Sequence, residues 1–388
     1  MAAISNIFLP RNLRVGGGSS LQLAEILSEF NLKHPLIVTD SFLVKSGMLT
    51  PIEDSLASAG VAFRVFSGTV PDPTVASVKA GLAFLKEADH DCVVGIGGGS
   101  PMDTAKALAI LAVHGGEMAD YKIPHLQTRP GLPIIAIPTT AGTGSEATRV
   151  TIITNEVTDE KMLCMGPAYQ PLAALIDYEL TLGAPRRLTA DTGLDALTHA
   201  IEAYVSRRAN PFADGMALAA MKAIWANLPA VCADPGNRPA REAMMLGSTQ
   251  AGIAFSNSSV AMVHGMSRPI GAFFHVAHGL SNAMLLPAVT AFSVSAASAR
   301  YADCARAMGV AAILDGDDTA CAKLVVALEK ITRDLDVPSP KVYGIDEKRW
   351  FEVLDVMAEQ ALASGSPGNN PRVPSAREIR DIYIQVWK

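Results

Sequence analysis

Up to about residue 185, short β-branched runs alternate with helical stretches; beyond it the runs become scarce. Pro35–Thr39, Val61–Phe66, Asp91–Ile96 and Leu132–Ile137 read as strands. Residues 41–60, Ala76–Ala88 and Pro101–Val113 read as the helices among them. This order predicts a parallel sheet covered by helices, because parallel neighbours are joined by crossovers rather than hairpins. In the second half, Ala190–Val205, Ala213–Ala226, Arg241–Ala254 and Thr319–Leu335 carry helical apolar spacing, punctuated by Pro185, Pro211, Pro229, Pro235 and Pro287. Ser364–Pro374 reads as a loop before a last helix, Ala376–Trp387. At 388 residues the chain exceeds the usual size of a single core. The expectation is an α/β domain over residues 1–185 and an all-α domain over residues 186–388.

Two loops of the first half carry chemistry. Gly97-Gly98-Gly99-Ser100 follows a strand and opens a helix that continues Pro101-Met102-Asp103-Thr104-Ala105-Lys106. Successive glycines let backbone N–H groups approach phosphate oxygens, and the helix dipole favours an anion there. An ordinary tight turn would use the same residues, and neither the P-loop pattern nor GxGxxG is present. The second loop, Pro138-Thr139-Thr140-Ala141-Gly142-Thr143-Gly144-Ser145-Glu146, also follows a strand and offers four hydroxyls. Two such loops after two strands of one sheet point to a nucleotide at the strands' carboxyl ends. Asp40 ends another strand. Its carboxylate suits a ribose hydroxyl and repels a 2′-phosphate, which favours NAD over NADP, although it would serve equally as a helix cap.

The second half offers a different set. Asp195 and His199 lie four apart, on one face of a helix in apolar surroundings. Three of the chain's eight histidines, His264, His275 and His278, fall within fifteen residues of one another. One Asp with three His makes a divalent metal site, and that donor set suits Fe(II) or Zn(II) better than Mg(II). Spacing leaves His275 and His278 as alternatives.

Composition closes other routes. With 38 acidic against 32 basic residues there is no excess positive charge for nucleic acid. Mean hydropathy is high at +0.25, yet no uninterrupted apolar run approaches the ~18 residues of a membrane span. Five scattered cysteines form no CxxC pair, so no disulfide framework is expected and a reducing cytoplasm fits. The opening residues show no basic stretch leading into a long apolar one, so no signal peptide is read.

Four motifs occur in order: GGGSPMDTAKA, IPTTAGTGSEAT, TGLDALTHAIEAY and VHGMSRPIGA followed by HGLSNAMLLP. Together, spanning nearly the whole chain, they resemble the iron-containing (group III) alcohol dehydrogenases. Asn370-Pro371-Arg372 resembles a further family feature. The resemblance implies a dehydroquinate synthase-like fold, with a nucleotide-binding domain facing a helical metal domain across an active-site cleft. It implies metal ligands at Asp195, His199, His264 and His278, deciding for His278 over His275. Cofactor contacts are implied at Asp40, Gly98, Gly99, Ser100, Asp103, Thr139, Thr140, Thr143, Thr148 and Lys161, and a substrate contact at Phe255. The implied activity is NAD-dependent interconversion of a primary alcohol and its aldehyde, with Fe(II), or Zn(II), as Lewis acid. The implied assembly is a homodimer or larger oligomer.

Two positions depart from the family pattern. Many members have histidine where this chain has Arg268, and many have asparagine where it has His275. An arginine stays protonated and cannot act as a general base. Arg268 is expected either as a structural salt bridge or as a fork for an anionic group on a short aldehyde. Proton exchange then falls to water, a ribose hydroxyl or His275. Two rivals stand beside this reading: a lyase of the dehydroquinate synthase kind on the same fold, and a non-catalytic metal- or nucleotide-binding protein.

Overall fold

The computed structural model describes residues 4–158 and 160–388. The chain forms two compact units, Asn6–Ala184 and Pro185–Lys388, with Ile4 and Ser5 belonging to the second. The first three residues of the segment read for a signal peptide lie outside the described residues.

The first unit is built on a six-stranded, wholly parallel sheet. Its strands are β1 (Asn12–Val15), β2 (Pro35–Asp40), β3 (Arg64–Thr69), β4 (Cys92–Gly97), β5 (Ile134–Pro138) and β8 (Ala173–Ile176), in the spatial order β1-β8-β5-β4-β2-β3. Side chains alternate between two cores. Leu36, Val38 and Val93 face one, and Ile37, Val94 and Ile135 the other. Helices cover both faces, so the central strands read as continuous apolar runs. The chain moves outward from β2 to β3, returns to β4, then moves away to β5. Order therefore reverses between β2 and β4, and crevices for ligands form at the carboxyl ends of such strands.

A separate antiparallel pair, β6 (Val150–Asn155) and β7 (Glu160–Met165), was not read from sequence, and neither were β1 and β8. The predicted strand Val61–Phe66 is displaced to Arg64–Thr69. Pairing with β2, from Leu36 opposite Arg64 to Asp40 opposite Gly68 and Thr69, carries polar Ser67 into the ladder. The helix expected over 41–60 is two helices, Ser41–Lys45 and Thr50–Ser58. Gly47 separates them at φ 74°, a left-handed conformation that glycine adopts without strain.

The second unit is all helical. Its long helices are Arg186–Val205, Pro211–Ala233, Arg238–Asn257, Met262–Phe274, His278–Ser293 and Asp317–Asp334, and Ala376–Val386 closes the chain. Pro185 and Pro211 mark helix starts as expected, but Pro229 and Pro287 sit inside helices. An interior proline costs about 3 kcal/mol. Leu228 and Val231 around Pro229, and Leu286 and Val289 around Pro287, are buried, and each such pair contributes roughly 3–6 kcal/mol. Burial therefore carries both helices through the break. Pro211–Ala233 and the stretch His278–Ala296 are long and apolar enough by composition to cross a membrane, yet each packs against neighbouring helices of this unit.

Candidate active site

Helix Arg186–Val205 presents Asp195, His199 and Glu202 on one face, at spacings of four and three residues. Helix Met262–Phe274 brings His264, and helix His278–Ser293 begins with His278. One donor atom from each of Asp195, His199, His264 and His278 lies within 4.8 Å of all the others. The Nε2 atoms of His264 and His278 lie 3.5 and 3.8 Å from Asp195 Oδ1. His199 is held between two rings. Phe255 stacks on one side at 4.3 Å between centroids and His264 on the other at 4.3 Å. Asp195, His199 and His264 are buried, whereas the His278 side chain is 39% exposed and forms the open side.

Two glycines make the convergence possible. A Cβ on Gly279 would lie 2.6 Å from the carbonyl oxygen of Asp191, so only glycine lets the His278 helix start this close to the Asp195 helix. A Cβ on Gly265 would meet Pro367 at 2.6 Å. His275 is not part of the donor group. It ends its helix at φ 54° with an exposed side chain, turning the chain toward His278.

The electrostatics favour a cation. Burial works to raise the Asp195 carboxyl, but His199, His278 and His264 overcome it and hold it well below the usual range. Burial likewise works to lower His264, and Glu202 and Asp195 overcome it, raising it to about 9. A cluster that holds a proton this firmly also suits a metal ion, which competes with protons for the same lone pairs. One carboxylate with three imidazoles fits Fe(II) or Zn(II).

Two residues of this cluster were not singled out from sequence. The buried Glu202 carboxylate accepts hydrogen bonds from His264 Nδ1 at 2.7 Å and from the backbone N–H groups of Ala261 and Val263 at 2.8 and 2.5 Å. Asn282, also buried, donates from Nδ2 to Asp195 Oδ1 at 2.7 Å and lies 3.2 Å from Nε2 of both His264 and His278. Helical spacing contained the signal: Glu202 is three residues after His199, and Asn282 four after His278.

Arg268, one turn after His264, is half-buried and makes no hydrogen bond or ion pair with the described residues. Burial pushes its pKa down, and Glu202 pulls it the other way without touching it. The structural salt bridge weighed for it is absent among those residues.

In the first unit the glycine loop closes β4 and opens helix Gly99–His114. Gly97 stands at φ 149°, and a Cβ there would strike Pro101 at 2.5 Å. Gly98 and Gly99 face the second loop: added Cβ atoms would lie 3.5 Å from Thr140 and 3.2 Å from Thr143. Thr140 Oγ1 is buried with no partner, an orphaned hydroxyl that a bound nucleotide would satisfy. Glycine N–H groups, a helix N-terminus and this hydroxyl together fit a pyrophosphate.

The remaining predicted contacts are engaged with the protein itself. Asp103 accepts from Ser145 Oγ and Ile152 N–H, both at 2.9 Å. Thr148 Oγ1 bonds to Lys106, and Lys161 pairs with Asp72 at 2.9 Å. Asp40 Oδ1 caps its following helix through the Leu43 N–H at 2.9 Å. Thr139 donates its backbone N–H to Gly97 O, and Ser100 lies in the first turn of the glycine-loop helix.

Known proteins resemble this chain over nearly its whole length. The family model described as iron-containing alcohol dehydrogenase matches residues 10–178, and that of the Fe-containing alcohol dehydrogenase family, C-terminal, matches residues 189–387. The NAD-dependent methanol dehydrogenase of Bacillus methanolicus is 36% identical over 98% of this chain and 99% of its own. The crystal structure of a 1,3-propanediol oxidoreductase superposes with a TM-score of 0.95 at 34% identity, covering 99% of this chain and 100% of the other. The sulfoacetaldehyde reductase of Bifidobacterium kashiwanohense, solved in complex with NAD+, superposes with a TM-score of 0.89 at 28% identity, covering 100% of each chain.

Proposed function

The chain belongs to the iron-containing alcohol dehydrogenase family, and from that premise we propose that it reduces a short aldehyde bearing an anionic group to the corresponding primary alcohol, using NADH. The observation that carries the reaction class is the convergence of Asp195, His199, His264 and His278 within 4.8 Å. Those four residues would hold Fe(II), or Zn(II), whose ligand preference matches the same donor set. When bound, the metal supplies Lewis acidity at the substrate oxygen and the nicotinamide supplies the hydride.

The protein's own residues do the rest. Glycine-loop N–H groups and Thr140 receive the pyrophosphate, and Asp40 directs an oxygen to the adenosine ribose while disfavouring a 2′-phosphate. Asp103 and Thr148 hold the loops in shape, as their hydrogen bonds support, and Lys161, paired with Asp72, ties β7 to the segment after β3. Phe255, stacked on His199, offers an apolar wall to the carbon chain of the substrate. Arg268 cannot take up a proton, so exchange with solvent runs through water, the ribose hydroxyl or the exposed His275.

The anionic group follows from Arg268. A half-buried guanidinium without a partner is costly, and its fork matches a carboxylate, sulfonate or phosphonate. The likeness to a sulfoacetaldehyde reductase supports the same chemistry. Five free, buried cysteines support a reducing cytoplasm. The experiment is NADH oxidation by Fe(II)- and Zn(II)-reconstituted protein with propanal, succinic semialdehyde and sulfoacetaldehyde. Turnover of the anionic aldehydes with higher kcat/KM is expected; preference for propanal would overturn the substrate class, and no turnover of any aldehyde the reaction class.

A further inference from the structure

Among the buried carboxylates of the helical unit, Glu202 stands one layer behind the donor cluster. It reaches from helix Arg186–Val205 to the start of helix Met262–Phe274. There it accepts three hydrogen bonds, from the N–H groups of Ala261 and Val263 and from His264 Nδ1. A carboxylate only accepts, so the bond to His264 keeps a proton on Nδ1 and leaves the Nε2 lone pair as the one a metal ion would take, displacing any proton held there. That lone pair faces the cluster, where Asp195 Oδ1 lies at 3.5 Å and the Asn282 amide at 3.2 Å.

We propose that Glu202 is a positioning residue that sets the metal affinity of the cluster by locking the tautomer and ring orientation of His264. The proposal rests on the reading of Asp195, His199, His264 and His278 as metal ligands. Its physical basis is threefold. The backbone bonds to Ala261 and Val263 leave the carboxylate no freedom to turn, so the imidazole it holds is aimed before any ion arrives. The negative charge behind the ring makes Nε2 a stronger donor. The same helix face carries Asp195 and His199, so brace and ligands move as one body.

A plain helix cap would explain the two backbone bonds but not the third. Carboxylates behind metal-binding imidazoles typically alter affinity 10- to 100-fold. Glu202→Gln keeps the size and an acceptor but removes the charge and presents an N–H group where only acceptors fit.

The test measures Zn(II) affinity of the full-length protein by chelator competition, with NADH binding and thermal unfolding as controls. Wild type should bind one Zn(II), and Glu202→Gln should bind it about 10- to 100-fold more weakly with NADH affinity unchanged. Glu202→Asp, which keeps the charge but draws it back, should fall between them. If Glu202 acts through His264, the loss should vanish in a His264→Ala background, because the group being positioned is gone. An equal loss in both backgrounds, or wild-type affinity in Glu202→Gln and Glu202→Asp alike, would show a cap and nothing more. Failure of wild type to bind Zn(II), Fe(II) or Co(II) would instead overturn the ligand assignment beneath the proposal.

Discussion

The ammonium of Lys106 lies 2.7 Å from the carbonyl oxygen of Ser145, joining the glycine-loop helix to the second loop. Four more oxygens surround it within 3.0 Å: Ser145 Oγ, Thr148 O, Thr148 Oγ1 and Val150 O. The side chain is fully buried, and burial pushes its pKa down to about 8 against the pull of Asp103 and Glu146.

Lys106→Met should therefore leave buried acceptors unsatisfied, at about 1–3 kcal/mol for each that water cannot reach. A loss of roughly 3 kcal/mol lowers Tm by on the order of 10 °C. The loosened loops should also weaken NADH, so fluorescence titration should show a rise in Kd of about tenfold. Unchanged Tm and Kd would mean that the loops hold together without this ammonium.

His264→Ala removes one donor from the cluster and leaves the cofactor loops of the other unit untouched. Metal affinity should be severely weakened, though still measurable by chelator competition, and turnover lost, while NADH affinity stays within about twofold of wild type. Elemental analysis alongside NADH titration checks this. Full turnover in a metal-free variant would dismiss the ligand set.

Asp40→Gly should raise the ratio of kcat/KM for NADPH to that for NADH by about tenfold or more, since it removes a charge that repels the 2′-phosphate. Asp40 also caps helix Ser41–Lys45, but glycine in place of a capping side chain costs only a few tenths of a kcal/mol. Tm should barely move. A shifted Tm with an unaltered ratio would make Asp40 a cap alone.

Arg268→Ala should separate two substrate classes. A charge-assisted hydrogen bond is worth about 1.5–3 kcal/mol, so kcat/KM for succinic semialdehyde or sulfoacetaldehyde should fall on the order of 10- to 100-fold. Propanal should change less than about threefold. Equal losses for both would assign Arg268 to the scaffold.

Elements whose stability is local were legible along the chain. Short, continuous β-branched runs marked the central strands, and period-3.6 apolar spacing marked the long helices. The glycine triplet after β4 marked the cradle, and the four-residue interval from Asp195 to His199 put both on one helix face. Local patterns failed where stability comes from distant partners. β1 and β8, four residues each, are strands because β8 pairs with both β1 and β5. The β6–β7 hairpin has no Asn-Gly or Asp-Gly turn to announce it. Pro229 and Pro287 read as breaks because the buried contacts that outweigh them come from other helices.

The cluster itself belongs to the tertiary structure. Nothing in the spacing of His264, His275 and His278 says which two converge with Asp195. The left-handed turn at His275 and the contact of Gly279 with Asp191 decide it, by aiming one ring outward and seating the next helix against Asp195. Glu202 reaches the Nδ1 of a histidine 62 residues away for the same reason. Side-chain direction along one helix is set by the helix, whereas which helices touch is set by close packing over the whole unit.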